Sequence, residues 1–386
     1  MVTAGSRGDG MRRANLALVL RTVHREGSRS RAALTEATGL NRSTIADLVG
    51  ELQRAGLVVE RASEAQGRVG RPSPIVEPDP RVVAIAVNPE VDALDIAAIA
   101  LDGSIVARER LDQSTLLTPE RTAELVGIRL DAWRRGPLAG SRLTGVGVAV
   151  PGPVRASDGL VREAPHLGWT DAALAGLMTD ATGLTTHVAN DAALGAVAEH
   201  LFGAARGAHD VVYLNGGASG IGGAVIVGGI PLGGAGGYAG EFGQNRPGIA
   251  DPDDRRAPEG VLEDEVSRTL LLRALGIDAA DDAALASALT RSTDAAVRAE
   301  TDRQRRILAT ALANAANVMN PAVIVLGGFL AILGELDLAG LDAAVRAQTI
   351  PACAEGLRLA AAELGENRLL VGAAEAVFEA ALFPPR

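Results

Sequence analysis

Short or forked hydrogen-bond donors at a helix start suit nucleic-acid phosphates and base edges, and residues 41–44 of this 386-residue chain read Asn-Arg-Ser-Thr. Arg42, Ser43 and Thr44 would sit beside a helix N-terminus, where backbone N–H groups and the helix dipole already favour phosphate. A second set lies at Gly67-Arg68-Val69-Gly70-Arg71-Pro72, where Arg68 and Arg71 stand among glycines, suited to reaching phosphates or a minor groove. Other chemistries are excluded by residue type. All 37 basic residues are arginine, so a P-loop lysine, a Schiff-base lysine or a lysine-activated nucleophile cannot exist. The single cysteine, Cys353, rules out an intrachain disulfide framework or a cysteine metal cage and reads as core filler. The five histidines show no HxH or HxxxH pairing, so no structural metal is expected.

The elements that would hold the donors can be read from periodicity and capping. Leu16, Val19, Leu20 and Val23 predict an amphipathic helix over 15–25. Ser30 is a candidate N-cap for a helix over 31–38 that Gly39 ends, and a third helix runs from 41 or 42 to 55, closed by Gly56. Ile45, Leu48, Val49 and Leu52 would face a three-helix core. Helix, glycine-containing turn, helix is the helix-turn-helix arrangement. Short strands over 57–61 and 71–76 around an exposed tip make it a winged helix, and residues 11–78 form a DNA-binding domain in this reading. Residues 1–80 hold 12 Arg against 9 acids, whereas the remainder holds 25 against 38, so contact with double-stranded DNA belongs to the head. An excess of three charges is small, and the expected binder is a homo-oligomer, a dimer or a tetramer, presenting paired heads about 34 Å or a multiple apart. The plainer alternative is a protein-contact module in which Ser30 and Ser43 only cap helices and Arg42 is a solvated charge.

Beyond the proline-rich stretch 70–80, the pattern becomes α/β. Apolar residues make up 47% of the chain and aromatics 2%, so the core must be packed from Ala, Val, Leu and Ile. Strands are predicted over 81–87, 93–101 and 104–110, with Asp102-Gly103 as a hairpin turn, and a helix from Thr118-Pro119 to about 135. Further strands near 145–154, 186–189, 210–216, 221–228 and 322–326 alternate with helices near 190–203, 261–275 and 300–319. Residues 81–386 are therefore expected to form two lobes, about 81–190 and 191–386, with a cleft between them. Residues 211–240 carry no charge, but 12 of the 30 are glycine, which speaks for tight turns rather than a membrane span. The first apolar run is too short for a signal peptide, so a cytoplasmic protein with no membrane partner is expected.

Five motifs in order resemble those of the ROK family of repressors, open reading frames and sugar kinases. They are Gly145-Val-Gly-Val-Ala-Val-Pro-Gly-Pro-Val154, Ala189-Asn190-Asp191-Ala192, Gly217-Ala-Ser-Gly-Ile-Gly-Gly223, Gly240-Glu241-Phe242-Gly243-Gln244, and Asn320-Pro321 with Val323-Ile-Val-Leu-Gly-Gly328. The resemblance covers about residues 12–382 and implies a duplicated, actin-like (ribonuclease H-like) ATPase fold for the body. By the same resemblance Asn190, Asp191, Glu241, Gln244 and Glu263 would contact a sugar, with Asp191 at the position of the kinases' general base. Asp191 also reads as a helix cap, and the Gly-rich 216–223 loop as a relic whose glycines serve only turns. The chain departs from the pattern twice. Asn88-Pro89 replaces a phosphate-binding hairpin, and Pro89 removes a backbone donor there, so ATP is not an expected cofactor and efficient phosphoryl transfer is not expected. Gln244 replaces the His of a zinc site, and 245–260 contain no Cys or His, so no zinc is expected.

Together these readings predict a sugar-responsive, DNA-binding transcriptional regulator of the repressor type, with an operator and a small sugar effector as partners and no catalytic residues. A sugar kinase with a DNA-binding head and a ligand-independent DNA-binding dimer are the alternatives.

Overall fold

The computed structural model describes residues 5–62, 73–217, 220–249, 251–258 and 260–383. At the N-terminus three helices pack as their apolar periodicity requires: α1 (Gly5–Glu26), α2 (Arg31–Thr38) and α3 (Arg42–Arg54). Val19, Leu20 and Val23 of α1, Leu34 of α2, and Ile45, Leu48, Val49 and Leu52 of α3 are all buried. The helix α1 begins ten residues before the predicted start, because 5–14, with glycine at 5, 8 and 10 and Ser6 and Asp9 between, are poor helix formers by propensity and leave no periodic apolar signal. The Ser30 hydroxyl accepts from the Ala33 N–H at 3.1 Å, and Gly39 takes φ 69° at the other end of α2. That left-handed residue turns the chain sharply into α3.

A three-stranded sheet closes this head, with β1 (Arg29–Ser30) and β2 (Val58–Arg61) flanking β3 (Ile75–Pro78). The β2–β3 pairing is antiparallel, Val58 opposite Pro78 and Arg61 opposite Ile75. Arg31 Nη2 donates to Glu60 Oε2 at 2.7 Å and ties α2 to this sheet. The predicted wing tip, with Arg68 and Arg71, lies outside the described residues.

The chain divides into two compact units. The first takes residues up to Val148, Gly176–His187 and the stretch from Ala373 onward; the second takes Ala149–Ala175 and Val188–Gly372. In the first, a five-stranded sheet has the order Thr186–Asn190, Arg142–Val150, Val82–Pro89, Ala93–Ala100, Ile105–Asp112. The last three are antiparallel, and Val82–Pro89 runs parallel to Arg142–Val150. The Asp102-Gly103 turn forms as predicted, with Asp102 Oδ1 accepting from the Ser104 N–H and Gly103 at φ 84°. Thr118 caps the helix Pro119–Arg134. The C-terminal helix, Arg368–Leu382, presses on this sheet so closely that a Cβ on Gly147 would lie 1.9 Å from the Ala373 carbonyl oxygen.

The second unit repeats the plan. Its sheet runs Ile230–Pro231, Gly220–Val227, Val211–Gly217, Val323–Gly328, Arg358–Ala361, three antiparallel strands continued by two parallel ones. Val212, Leu214, Ile324 and Leu326 pack with Ile307, Leu308 and Leu312 of the long helix Ala295–Met319. The α/β organisation is the one expected from the strand pattern, and its duplication is what the family resemblance implied. The helix predicted over 261–275 is two helices, Leu262–Glu265 and Arg268–Leu275. The break occurs because Gln304 accepts from the Ser267 N–H and donates to the Ser267 carbonyl, both at 3.1 Å, holding that residue extended. A small antiparallel sheet, Val154–Arg155 with Leu160–Ala164 and Trp169–Ala172, went unforeseen. Among the described residues no helix is long and apolar enough to cross a membrane.

Candidate functional site

Within the second unit, the Pro151-Gly152-Pro153 loop, the small sheet, the start of the helix Asp191–Phe202 and the facing ends of the strands Val211–Gly217 and Gly220–Val227 enclose a cavity of about 480 Å3. Asn190, Asp191, Glu241, Gln244 and Glu263 all line it, so the five residues named from sequence are brought together. Asn190 is the helix N-cap. Its Oδ1 accepts from the Ala193 N–H at 3.0 Å while Nδ2 donates to the Gly152 carbonyl at 3.0 Å, locking loop to helix. Gly152, at φ 83°, admits no side chain, since a Cβ would lie 2.1 Å from the Glu163 carbonyl oxygen.

Asp191 is thus the first helical residue rather than the cap. Its Oδ1 accepts from the Ala192 N–H at 2.7 Å. Burial pushes its carboxyl up to about 6, with the Glu241 charge adding and the Ala192 N–H and the Arg368 charge opposing. Burial and the charge of Glu263 likewise hold Glu241 above the usual carboxylate range. Glu263 is fixed from both oxygens: Oε1 accepts from Gln244 Nε2 at 2.6 Å and Oε2 from the Ile221 N–H at 3.1 Å. Glycine at 220 is required, because its φ is 133° and a Cβ there would stand 2.4 Å from Glu263 Oε2.

A raised carboxyl means that the folded state holds the proton of Asp191 more tightly than the unfolded chain does. Its contribution to stability is full below the unfolded value of about 4 and lost as pH rises through about 6. Asp191→Asn is therefore expected to raise the melting temperature of the unliganded protein by a few degrees at pH 7, and the gain is expected to vanish near pH 4. Thermal unfolding across that range checks this; a fall in melting temperature at pH 7 would contradict it.

The short helix bearing Glu263 is held from beneath by a buried ionic cluster. Arg303 and Glu265 are each 1% exposed, and Arg303 Nη1 meets Glu265 Oε2 at 3.1 Å. Arg303 also donates to the Glu265 and Asp254 carbonyls at 2.6 and 2.7 Å and to Glu300 Oε1 at 2.7 Å. Glu265 in turn accepts from the Arg256 and Ala257 N–H groups. A zinc ion, implied by the resemblance for some relatives, does not fit this segment: Gln244 is spent on Glu263, and 245–260 supply no Cys or His. Among the described residues no group of three or more His, Cys, Asp or Glu could hold a metal.

Three polar lining residues escaped the sequence reading: Glu163, His166 and Asn215. His166 sits in a single 3-10 turn, Pro165–Leu167, ended by Gly168 at φ 69°. Its only sequence signal was a histidine between a proline and a turn glycine. Asn215 accepts from the buried Tyr213 hydroxyl at 3.3 Å.

In the head, Arg42 and Ser43 are exposed at the start of α3 and Thr44 is half-buried. The cap is Asn41, whose Oδ1 accepts from the Thr44 N–H at 2.9 Å and from the Ser43 hydroxyl at 2.7 Å. Ser43 is therefore partly spent on the cap, and Arg42 is the forward donor. At the other departure, Asn88 is buried and donates to Glu90 Oε1 at 2.9 Å, while Pro89 sits in the ladder opposite Leu94. The hairpin tip presents Glu90 and Asp92, both paired with Arg110.

A family model described as ROK family matches residues 84–380. The chain is 26% identical over 381 residues to the xylose repressor of Bacillus spizizenii, covering 96% of each chain. It is 30% identical over 262 residues to the glucokinase of Halalkalibacterium halodurans, covering 60% of this chain and 75% of that one. Among solved structures, a transcriptional regulator described as a homologue of the E. coli MLC protein superposes with a TM-score of 0.76 at 22% identity, covering 97% of both chains.

Proposed function

Because the chain belongs to the ROK family, we propose that it is a sugar-responsive, DNA-binding transcriptional regulator that acts as a repressor. The observation that carries this is the presence in one chain of a winged three-helix head with exposed Arg42 and a cavity lined by Asn190, Asp191, Glu241, Gln244 and Glu263. The xylose repressor relative matches along almost the whole chain, head included, whereas the glucokinase match covers 60%. In this reading residues 11–78 read duplex DNA, with Arg42 and Thr44 at base edges or phosphates and Arg68 and Arg71 on the wing. Residues 81–386 bind the effector and dimerise. With DNA as its partner, the protein in this reading works in the cytoplasm.

The effector is a small polyol. Carboxylate and amide oxygens accept from sugar hydroxyls whichever way those hydroxyls turn, and the raised Asp191 and Glu241 carboxyls gain new donors when a sugar enters. The sugar shifts operator affinity because it binds one head arrangement better than the other. Phosphoryl transfer is disfavoured by the hairpin Val82–Asp92. A phosphate cradle needs free positive charge and backbone donors, and at this tip Pro89 removes a donor while Glu90 and Asp92 hold the Arg110 guanidinium.

Selection of bound duplexes from a random pool, with and without D-xylose and D-glucose, tests the reading. A pseudopalindromic site whose recovery falls with one sugar is expected, and Arg42→Ala should weaken it by about 1–3 kcal/mol per head. No enriched duplex would overturn the proposal, and unchanged binding in Arg42→Ala would return that residue to the solvated surface.

A further inference from the structure

The C-terminal helix Arg368–Leu382 begins in the second unit and ends in the first. Near its start, Gly372 packs on the helix Asp191–Phe202 so closely that a Cβ would lie 2.1 Å from the Leu194 carbonyl oxygen, and the Arg368 charge acts on Asp191, whose carboxyl lines the cavity. One end of the helix is therefore seated on the element that begins at the site. Its far end grips the DNA-reading head. His24, in the last turn of α1, places Nε2 3.0 Å from both carboxylate oxygens of Glu375, with the two side chains 2% and 9% exposed. His24 Nδ1 lies 2.6 Å from the Leu101 carbonyl oxygen. Phe378 stands edge-on to the imidazole at 5.6 Å between centroids, and Arg21 of α1 lies over the Phe383 ring at 4.6 Å and pairs with Glu379.

We propose that this helix carries effector occupancy to the DNA reader, and that His24–Glu375 is the joint through which it holds α1. The inference rests on the proposed function. A carbonyl oxygen only accepts, so Nδ1 carries a hydrogen; Nε2 against the carboxylate oxygens of Glu375 is then held best when it carries a second proton. Closing the joint takes up a proton, and opening it in water above neutral pH releases one. Burial lowers the basicity of His24, but the Glu375 bond and charge and the Leu101 carbonyl outweigh it and leave the ring raised. The other charges nearby are Arg25, which opposes, with Arg21 and Glu379 beside it. The joint is accordingly strongest at acidic pH and weakens as pH rises through the raised value.

The test uses the full chain, a selected operator duplex, and D-xylose and D-glucose as probes. Operator affinity is read by fluorescence anisotropy with and without sugar, and sugar affinity by calorimetry, for wild type, Glu375→Gln and His24→Gln. Expected is sugar affinity within about twofold of wild type in both variants, and a sugar-induced change in operator affinity at least about fivefold smaller. An unchanged sugar response in both variants overturns the inference. Hydrogen exchange gives a readout independent of variant folding: in wild type, sugar is expected to alter exchange in 16–26 and 373–382 together. No change in either segment, while sugar still shifts operator affinity, refutes the joint and leaves the proposed function standing. A chain that binds neither sugar nor any duplex overturns both.

Discussion

Arg303→Met is expected to destabilise the protein by about 3–5 kcal/mol, the scale observed when one member of a buried ion pair is removed and its partner left charged. Glu265 is 1% exposed and would lose its guanidinium partner, and the Asp254 and Glu265 carbonyls would each lose a donor. Arg303→Lys should recover only part of this. One ammonium cannot reach Glu265, Glu300 and two carbonyls on diverging sides, whereas the planar guanidinium does. Urea unfolding followed by circular dichroism measures the loss as a lowered midpoint. Because Glu265 ends the short helix that carries Glu263, the same substitution should also weaken sugar binding while leaving operator binding without sugar intact. A midpoint within error of wild type would show that the cluster contributes nothing net.

Glu263→Ala is expected to lower sugar affinity by about a hundredfold or more. Two effects add. The sugar loses an ionised acceptor, at roughly 1.5–3 kcal/mol, and the Gln244 amide and Ile221 N–H lose the oxygens they donate to. Gln244 then loses its orientation as well, so a second lining residue is affected. Glu263→Gln keeps the shape and one acceptor and should fall between wild type and Ala. Calorimetric titration with D-xylose and D-glucose measures both variants. Affinity unchanged in Glu263→Ala would mean that Glu263 serves only to hold Gln244 and the 220–221 turn.

Much of the head was legible because its signals are local. Ser30 and Gly39 bound α2 as their chemistry predicts, and the inward positions of α3 follow from a 3.6-residue period. The extension of α1 to Gly5 was not legible, since Gly5, Gly8 and Gly10 argue against a helix by propensity and no apolar period runs through them. In the body, the break at Ser267 depends on Gln304, a residue 37 positions away whose grip no local pattern reveals. The sheet Leu160–Ala164 with Trp169–Ala172 was hidden by short strands of mixed polarity.

The candidate site was legible through motif resemblance and much less through local chemistry. Asn190, Asp191, Glu241, Gln244 and Glu263 are spread over 74 residue positions and converge only when the strands Thr186–Asn190 and Val211–Gly217 are in place. The division of labour between Asn190 as cap and Asp191 as cavity carboxylate needed coordinates, as did the Gln244–Glu263 bond. Arg303 could not have been found, because an arginine in a charged helix reads as surface until its partners are seen.

The most direct measurement is the affinity of the full-length protein for a selected duplex, titrated with D-xylose and D-glucose in wild type and in Asp191→Asn. The account predicts that at least one of these sugars shifts the wild-type duplex affinity by about fivefold or more, and that Asp191→Asn still binds the duplex but loses the shift. Duplex binding that no sugar alters, in a wild-type protein that transfers phosphate from ATP to the same sugars, would contradict it.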